Sequence, residues 1–265
     1  MKYGFIGTGN MGSALARALV KAVDAKDVLL ADFLPEKAEA LAKELGAHSG
    51  SNEEAVRQCD RIFLGVKPQR MASVLGELVP LLQEHKPLLI SMAAGVEIQT
   101  VQKLAGGSLP VIRIMPNTPV ALGQGMVLYC CNELVPSQTL DSFLDDMRFA
   151  GRLDCLEENL IDAGCAVSGC GPAYMYLFAE ALADGAVACG LPREKALTYA
   201  AQTMAGAAAM LLETGQHPGQ LKDAVCSPAG STIEGVSALE TGGLRAAAIS
   251  AVKAGFEKSR TLGKK

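Results

Sequence analysis

The sequence predicts an α/β protein in two parts, a doubly wound parallel sheet followed by an all-α domain. Three observations carry that expectation. Through residues 1–158 short apolar runs alternate with amphipathic stretches, the pattern of strands covered on both faces by helices. The strand pattern then stops, and residues 159–265 read as helices separated by glycine and proline stops. A length of 265 residues also suits two ordinary domains.

The elements follow in order. Strands are expected at 3–7, 28–32, 61–65, 88–91, 111–115 and 126–130, with helices at 11–21, 35–45, 69–83 and 137–150. Right-handed crossovers between such strands leave little choice beyond a doubly wound fold. In the second part helices are expected at 174–189, 193–213, 219–226, 232–240 and 244–262, with stops at Gly190-Leu191-Pro192, at 215–218 and at Gly242-Gly243. The stretch 199–212 is apolar around nearly its whole circumference, so it must be buried on all sides. A domain of this size has few elements to surround it, and Ala205, Gly206 and Ala207 would let a partner helix approach closely. A homodimer with interlocking helical domains is the expected result.

Composition narrows the function classes. Apolar residues make up 49% of the chain and charged residues 20%, which supports a substantial core and argues against disorder. A net charge of -4 without a basic stripe gives no reason to expect nucleic acid. The one charge run, Lys264-Lys265, reads as a solvated end. No apolar stretch reaches the ~20 residues that span a bilayer, so no membrane is expected. The chain runs from Met1 directly into a glycine loop with no room for a leader, and a cytoplasmic location is expected. Eight cysteines show no C-x-x-C pair and several sit in apolar runs, so they read as buried reduced thiols, with neither a disulfide frame nor a metal site.

The sharpest motif is Gly7-Thr8-Gly9-Asn10-Met11-Gly12, a G-x-G-x-x-G that follows a strand and opens a helix. This is the Rossmann-type arrangement: Gly7 allows the tight turn, Gly9 lets the backbone approach a pyrophosphate, Gly12 permits close helix packing, and the helix N-terminus offers amides. The competing reading is a turn that merely needs glycine. Asp32 ends the second strand, where a carboxylate accepts from ribose hydroxyls and favours NADH over NADPH; capping of the next helix is the alternative. The nearest cations behind Asp32 in sequence, Lys37 and Lys43, lie well into the next helix. Val66-Lys67-Pro68, Ala93-Ala94-Gly95 and Asn117 lie at the carboxyl ends of later strands, where ligands bind in open sheets, though each also suits an ordinary turn.

In the second half, residues 168–174 form a turn ahead of a long helix, with Pro172 suited to its first turn. Residues 221–232 end one helix and begin another, and Gly230, Ser231 and Thr232 there make a nest of amides and hydroxyls suited to a carboxylate, or simply a well-capped helix. Only His48, His85 and His217 are available, and G-x-S-x-G is absent. Hydride transfer needs little more, because the cofactor supplies the chemistry and the protein supplies position.

With these segments in order the chain resembles the pyrroline-5-carboxylate reductase family. The likeness runs from residues 5–11 through 66–68, 93–95, 115–119, 157–163, 168–174, 181–185, 190–192 and 217–223, and closes on 227–232 with Leu239-Glu240, essentially the whole chain. It implies reduction of the cyclic imine L-1-pyrroline-5-carboxylate to L-proline with NADPH or NADH. It implies dimers that assemble further into a decameric ring, the loop at 231–232 of one subunit meeting the cofactor of the other. The implied cofactor contacts are Ile6, Gly7, Thr8, Gly9, Asn10, Met11, Asn52, Val66, Lys67, Pro68, Ala93, Ala94 and Gly95, and the implied substrate contacts are Glu158, Ser231 and Thr232. Thr232 is the choice for the hydrogen bond to the ring nitrogen, and Glu158 either favours positive charge on the ring or starts a helix.

Three residues depart from the family pattern. Cys170 stands where serine is usual, Ala229 where glycine is common, and Ala224 where some relatives have asparagine; the first two are small exchanges that a backbone-led site should tolerate. Asp32 in place of serine or asparagine weakens the implied preference for NADPH. Two other classes compete. A β-hydroxyacid or imine reductase shares the architecture, but the hydroxyacid enzymes use a lysine on the first long helix of the second domain, and 174–188 contains none. A non-enzymatic dinucleotide sensor or scaffold would leave the 227–232 loop without a purpose.

Overall fold

The structure is a computed structural model and describes residues 1–262, so the charged pair Lys264-Lys265 lies outside the described residues. Its contacts divide the chain into two compact units, residues 1–170 together with the tail from Gly255, and residues 171–254. The expected division at 158 falls earlier than this one. The reason is that the helix after residue 160 packs on the sheet: Ile161 and Cys165 join its apolar core although the strand pattern has already ended.

The first unit is built on one sheet of eight strands: β1 (Tyr3–Ile6), β2 (Val28–Ala31), β3 (His48–Ser49), β4 (Arg61–Leu64), β5 (Leu88–Ser91), β6 (Val111–Met115), β7 (Gly125–Cys131) and β8 (Gly151–Cys155). Their spatial order is β3-β2-β1-β4-β5-β6-β7-β8. Every neighbouring pair is parallel except β6 with β7. Strand order reverses around β1, the switch point at which open sheets leave a crevice beyond their carboxyl ends. Ile6 pairs with Ala31 on one side and Leu64 on the other, so β1, β2 and β4 end level and their following loops emerge together.

All six expected strands are present. β3 and β8 were not expected, because β3 has two exposed residues and β8 reads Gly-Arg-Leu-Asp-Cys, neither giving an apolar run. The expected helices are α1 (Asn10–Leu19), α2 (Pro35–Leu45), α4 (Pro68–His85) and α6 (Ser137–Asp146), the last stopping short because residues 148–150 turn separately. Three short helices were not expected: α3 (Asn52–Gln58), α5 (Ile98–Leu104) and α7 (Ile161–Ser168). Local chemistry sets the ends. α2 starts on Pro35 and stops at Gly46, whose φ of 74° only glycine adopts readily. α3 is too short to show a period but carries a capping box between Ser51 and Glu54.

Alternation along the strands divides the core. Phe5, Phe63, Leu15, Leu19 and Phe143 fill one side of the sheet, with Phe5 and Phe63 stacked at 4.4 Å. Ile62, Leu64, Leu75, Leu78 and Val101 fill the other. A polar cluster is built into the first layer: Asp146 accepts from the Tyr3 hydroxyl at 2.7 Å and from Arg61 at 3.0 Å, and Lys2 joins it at the surface. Burial, reinforced by the hydrogen bond to Asp146, pushes the Tyr3 hydroxyl far above the ordinary tyrosine range.

The thiols depart from the expectation of uniform burial. All eight are free; Cys59, Cys130 and Cys165 are buried, but Cys155 on the edge strand β8 and Cys189 after a helix end are exposed. Among the described residues no His, Cys, Asp and Glu group is placed to hold a metal ion. No described helix is long and apolar enough to cross a membrane.

The helical unit contains α8 (Gly171–Ala188), α9 (Arg193–Thr214), α10 (Pro218–Ala224), α11 (Ser231–Thr241) and α12 (Leu244–Leu262), whose end from Gly255 belongs to the first unit. All five expected helices are present. α8 and α9 pack as a hairpin, and the Tyr174 hydroxyl donates to the Ala251 carbonyl at 3.3 Å. One chain cannot cover α9: only Ala196 and Ala200 are buried, while Tyr199, Met210 and Leu212 are exposed, Leu212 by 71%.

Candidate functional site

Three glycines interlock at the carboxyl end of β1. Gly7 has φ of 101°, and a Cβ there would lie 2.7 Å from the Gly65 backbone; one on Gly65 or Gly12 would lie 2.4 or 2.3 Å from the Gly7 carbonyl oxygen. The loop can therefore close only without side chains at these points. Backbone bonds lock it to both neighbouring strands, Gly7 N–H to the Ala31 carbonyl and Gly65 N–H to the Ile6 carbonyl, each 2.8 Å. Gly9 has open space around it and begins α1 with no side-chain cap. The first amides of α1 thus keep their donors for a ligand, and the helix dipole favours an anion there.

Asp32 ties down this loop. One carboxylate oxygen accepts from the Thr8 amide at 2.6 Å and the Thr8 hydroxyl at 3.0 Å, and the other accepts from the Leu34 amide at 3.0 Å. Burial pushes its pKa up, but the bonds from Leu34 and Thr8, aided by the charge of Lys37, more than offset this and hold it below the ordinary range. Asp32 is thus ionised at neutral pH and anchors the neighbouring backbone, while α2 begins after Leu34 without a side-chain cap.

A cavity of about 390 Å³ lies outside these strand ends, lined by Ile6, Gly7, Gly9, Asp32, Asn52, Val66 and Lys67 among the expected residues. Phe33, Lys37 and Arg70 line it as well. Arg70 and Phe33 were missed by the sequence reading, which looked for a cation close behind Asp32 in sequence; Arg70 arrives from α4, beyond the neighbouring strand β4. Lys67 precedes α4 and Pro68 occupies its first turn. Asn52 also borders an adjoining cavity of about 360 Å³ with Asp32 and Ser51.

The later strand ends lie outside this lining. Ala93 is buried, and Gly95 turns the chain with φ of 73°. Asn117 is a fastener: its amide donates to the Ser168 carbonyl at 2.9 Å and accepts from the Met126 amide at 2.9 Å. Both the nitrogen and the oxygen of that amide hold the frame. Glu158 is similarly engaged, one oxygen accepting from the Ile98 amide at 2.7 Å and from Arg113 at 3.3 Å. Arg113 also reaches Asp162 at 3.1 Å. This arginine, buried in β6, gave no sequence signal beyond being a charge in a strand.

The remaining expected residues belong to the helical unit. Gly230 precedes α11 without a side-chain cap, so the amides at Ser231 and Thr232 begin a helix whose N-terminus is open to an acceptor. Ala229 has φ of 56°. The left-handed backbone explains why glycine is common at this position, and alanine there costs about 1 kcal/mol, so the exchange is not free of strain. Burial pushes Cys130 up to about 12 and Cys59 and Cys165 up to about 11, so these three stay protonated thiols at neutral pH.

Comparison with known proteins agrees with this geometry. Residues 158–262 match the family model described as pyrroline-5-carboxylate reductase dimerisation, and residues 2–95 the one described as NADP oxidoreductase coenzyme F420-dependent. The pyrroline-5-carboxylate reductase of Escherichia coli is 41% identical over 266 residues, covering 99% of this chain and 98% of its own. Among solved structures, the pyrroline-5-carboxylate reductase of Coxiella burnetii aligns with a TM-score of 0.91 at 32% identity over 100% of this chain and 99% of its own. The Plasmodium falciparum pyrroline carboxylate reductase, solved with NADP bound, aligns with a TM-score of 0.89 at 35% identity over 99% and 98%. The helical unit is accordingly a homodimerisation domain, which accounts for the uncovered faces of α9. A glycine loop shaped for a dinucleotide, a dimerisation domain and end-to-end similarity lead to one conclusion: the chain belongs to the pyrroline-5-carboxylate reductase family, NAD(P)H-dependent oxidoreductases of proline biosynthesis that act on a cyclic C=N bond.

Proposed function

We infer that this chain reduces L-1-pyrroline-5-carboxylate to L-proline with hydride from NADPH or NADH bound along the Gly7–Gly12 loop. The observation that carries this reading is the interlock of Gly7, Gly12 and Gly65, which leaves the α1 amides open beside the cavity that Asp32 borders. Ile6, Thr8, Asn10, Met11, Asn52, Val66, Lys67, Pro68 and residues 93–95 complete the cofactor surface. A spectrophotometric assay with the pyrroline substrate and each reduced cofactor tests it; activity on a β-hydroxyacid panel in place of the imine would overturn it.

Hydride adds to the imine carbon as the C=N π pair moves onto nitrogen, so the reaction is faster once that nitrogen carries a proton. We assign the hydrogen bond at nitrogen to Thr232 and the grip on the carboxylate to the amides around Gly230 and Ser231. We assign Glu158 a positioning role through its bonds with the Ile98 amide and Arg113. Thr232→Ala is expected to lower kcat/KM for the imine by roughly 10- to 1,000-fold while the cofactor Kd stays near wild type. Wild-type turnover by this variant would remove Thr232 from the mechanism.

Asp32 repels a 2′-phosphate, whereas Lys37 in the lining of the same cavity attracts one. The enzyme is therefore expected to use NADH well, with any preference for NADPH in kcat/KM below roughly a hundredfold; a larger preference would refute the role given to Asp32. The free cysteines suit a reducing compartment, and we assign the enzyme to the cytoplasm. We further infer that dimers assemble into a decameric ring, in which the 231–232 loop of one subunit meets the cofactor of its partner. Multi-angle light scattering distinguishes ten subunits from two.

A further inference from the structure

Phe33 is 87% exposed, whereas Phe5, Phe63 and Phe143 of the same unit are fully buried. It follows Asp32 directly and lines the cofactor cavity. Arg70, from the first turn of α4, lines the same cavity, and its guanidinium carbon lies over the Phe33 ring at 6.0 Å from the centroid. Among the described residues Arg70 enters no ion pair, so its flat cationic face is available. Two planar groups, carried by the segments that follow β2 and β4 on either side of β1, thus meet at the mouth of one cavity.

We propose that Phe33 and Arg70 clasp the adenine ring of the cofactor, the base lying on the Phe33 face with the Arg70 guanidinium over its other side. The inference rests on the reading that this cavity takes the dinucleotide. With the pyrophosphate at the α1 amides and the ribose at Asp32, the next group outward is the base, and the next residue in the chain is Phe33. A base between two flat groups needs about 7 Å, twice an aromatic contact distance; the present 6.0 Å opens to that by a small swing of the flexible Arg70 side chain. Base–aromatic stacking and cation–π attraction both act on a ring that NADH and NADPH share. The clasp therefore raises affinity for both cofactors and leaves discrimination at the 2′ position to Asp32 and Lys37.

The test measures Kd for NADH and NADPH by fluorescence titration of wild type, Phe33→Ala, Phe33→Trp and Arg70→Ala. Phe33→Ala is expected to weaken both cofactors by the same factor, about 5- to 100-fold, the range that base stacking gives. In steady-state assays the loss falls on KM for the cofactor rather than on kcat, Phe33→Trp restores binding, and with reduced nicotinamide mononucleotide, which lacks the adenine, the loss disappears. Unchanged NADH affinity in Phe33→Ala would overturn the proposal. So would an Arg70→Ala variant that loses NADPH alone, which would make Arg70 a 2′-phosphate ligand. If the cavity does not take the dinucleotide, Gly12→Ala also leaves NADH binding at the wild-type level; if only the clasp is wrong, Gly12→Ala impairs binding and Phe33→Ala does not.

Discussion

Gly12→Ala is expected to lower kcat/KM for the cofactor by more than roughly 100-fold while the protein still folds. The added Cβ would sit 2.3 Å from the Gly7 carbonyl oxygen, in a segment held in place by the bonds from Gly7 N–H to the Ala31 carbonyl and from Gly65 N–H to the Ile6 carbonyl, so the first turn of α1 has to lift away. A displacement of about 1 Å in a positioning element can cost a hundredfold in rate. Gly9→Ala is the informative contrast. Nothing lies within 4 Å of a Cβ there in the free protein, so its folding stability should stay near wild type and its effect should emerge only when a pyrophosphate approaches. NADH titration together with circular dichroism reads both variants, and near-wild-type affinity in Gly12→Ala would separate the loop from cofactor binding.

Arg113→Leu is expected to destabilise the first unit by about 3 kcal/mol. Removing one member of a buried ion pair typically costs 3–5 kcal/mol because its partners keep uncompensated charge. The lower end applies because the Glu158 and Asp162 side chains are 33% and 22% exposed and can recruit water, whereas Arg113 is 2% exposed. Combining Arg113→Leu with Glu158→Gln and Asp162→Asn should recover much of the loss, since no stranded charge remains. Urea unfolding measures each variant. A loss below about 1 kcal/mol for Arg113→Leu alone would mean that the triad is weakly coupled to folding.

What the sequence revealed follows from how each feature is encoded. Strands such as Arg61–Leu64 and the glycine loop were legible because burial and turn geometry act on consecutive residues. β8 was not legible, since a half-exposed edge strand has no reason to be apolar. The compact units divide later than residue 158, where the dimerisation family model begins, because α7 packs on the sheet through Ile161 and Cys165 after the strand pattern has ended. At the site, Asp32 could be found from its spacing, but its bonds to Thr8 and Leu34 depend on how two loops meet. Phe33 and Arg70 lie 37 positions apart in sequence (70 − 33) and come together only because β2 and β4 flank β1. The bonds of Asn117 to Ser168 and Met126 were not legible, because a conspicuous amide in a turn reads the same whether it binds a cofactor or the frame.

The uncovered faces of α9 have a thermodynamic consequence. A helix whose Tyr199, Met210 and Leu212 find no cover in their own chain completes its core only by association, so part of the folding free energy of this half is an encounter term. Mass action then sets the unfolding midpoint, which rises with the logarithm of subunit concentration as it would for a ligand binding the native state. For this half of the molecule, dilution does what urea does to a self-sufficient domain.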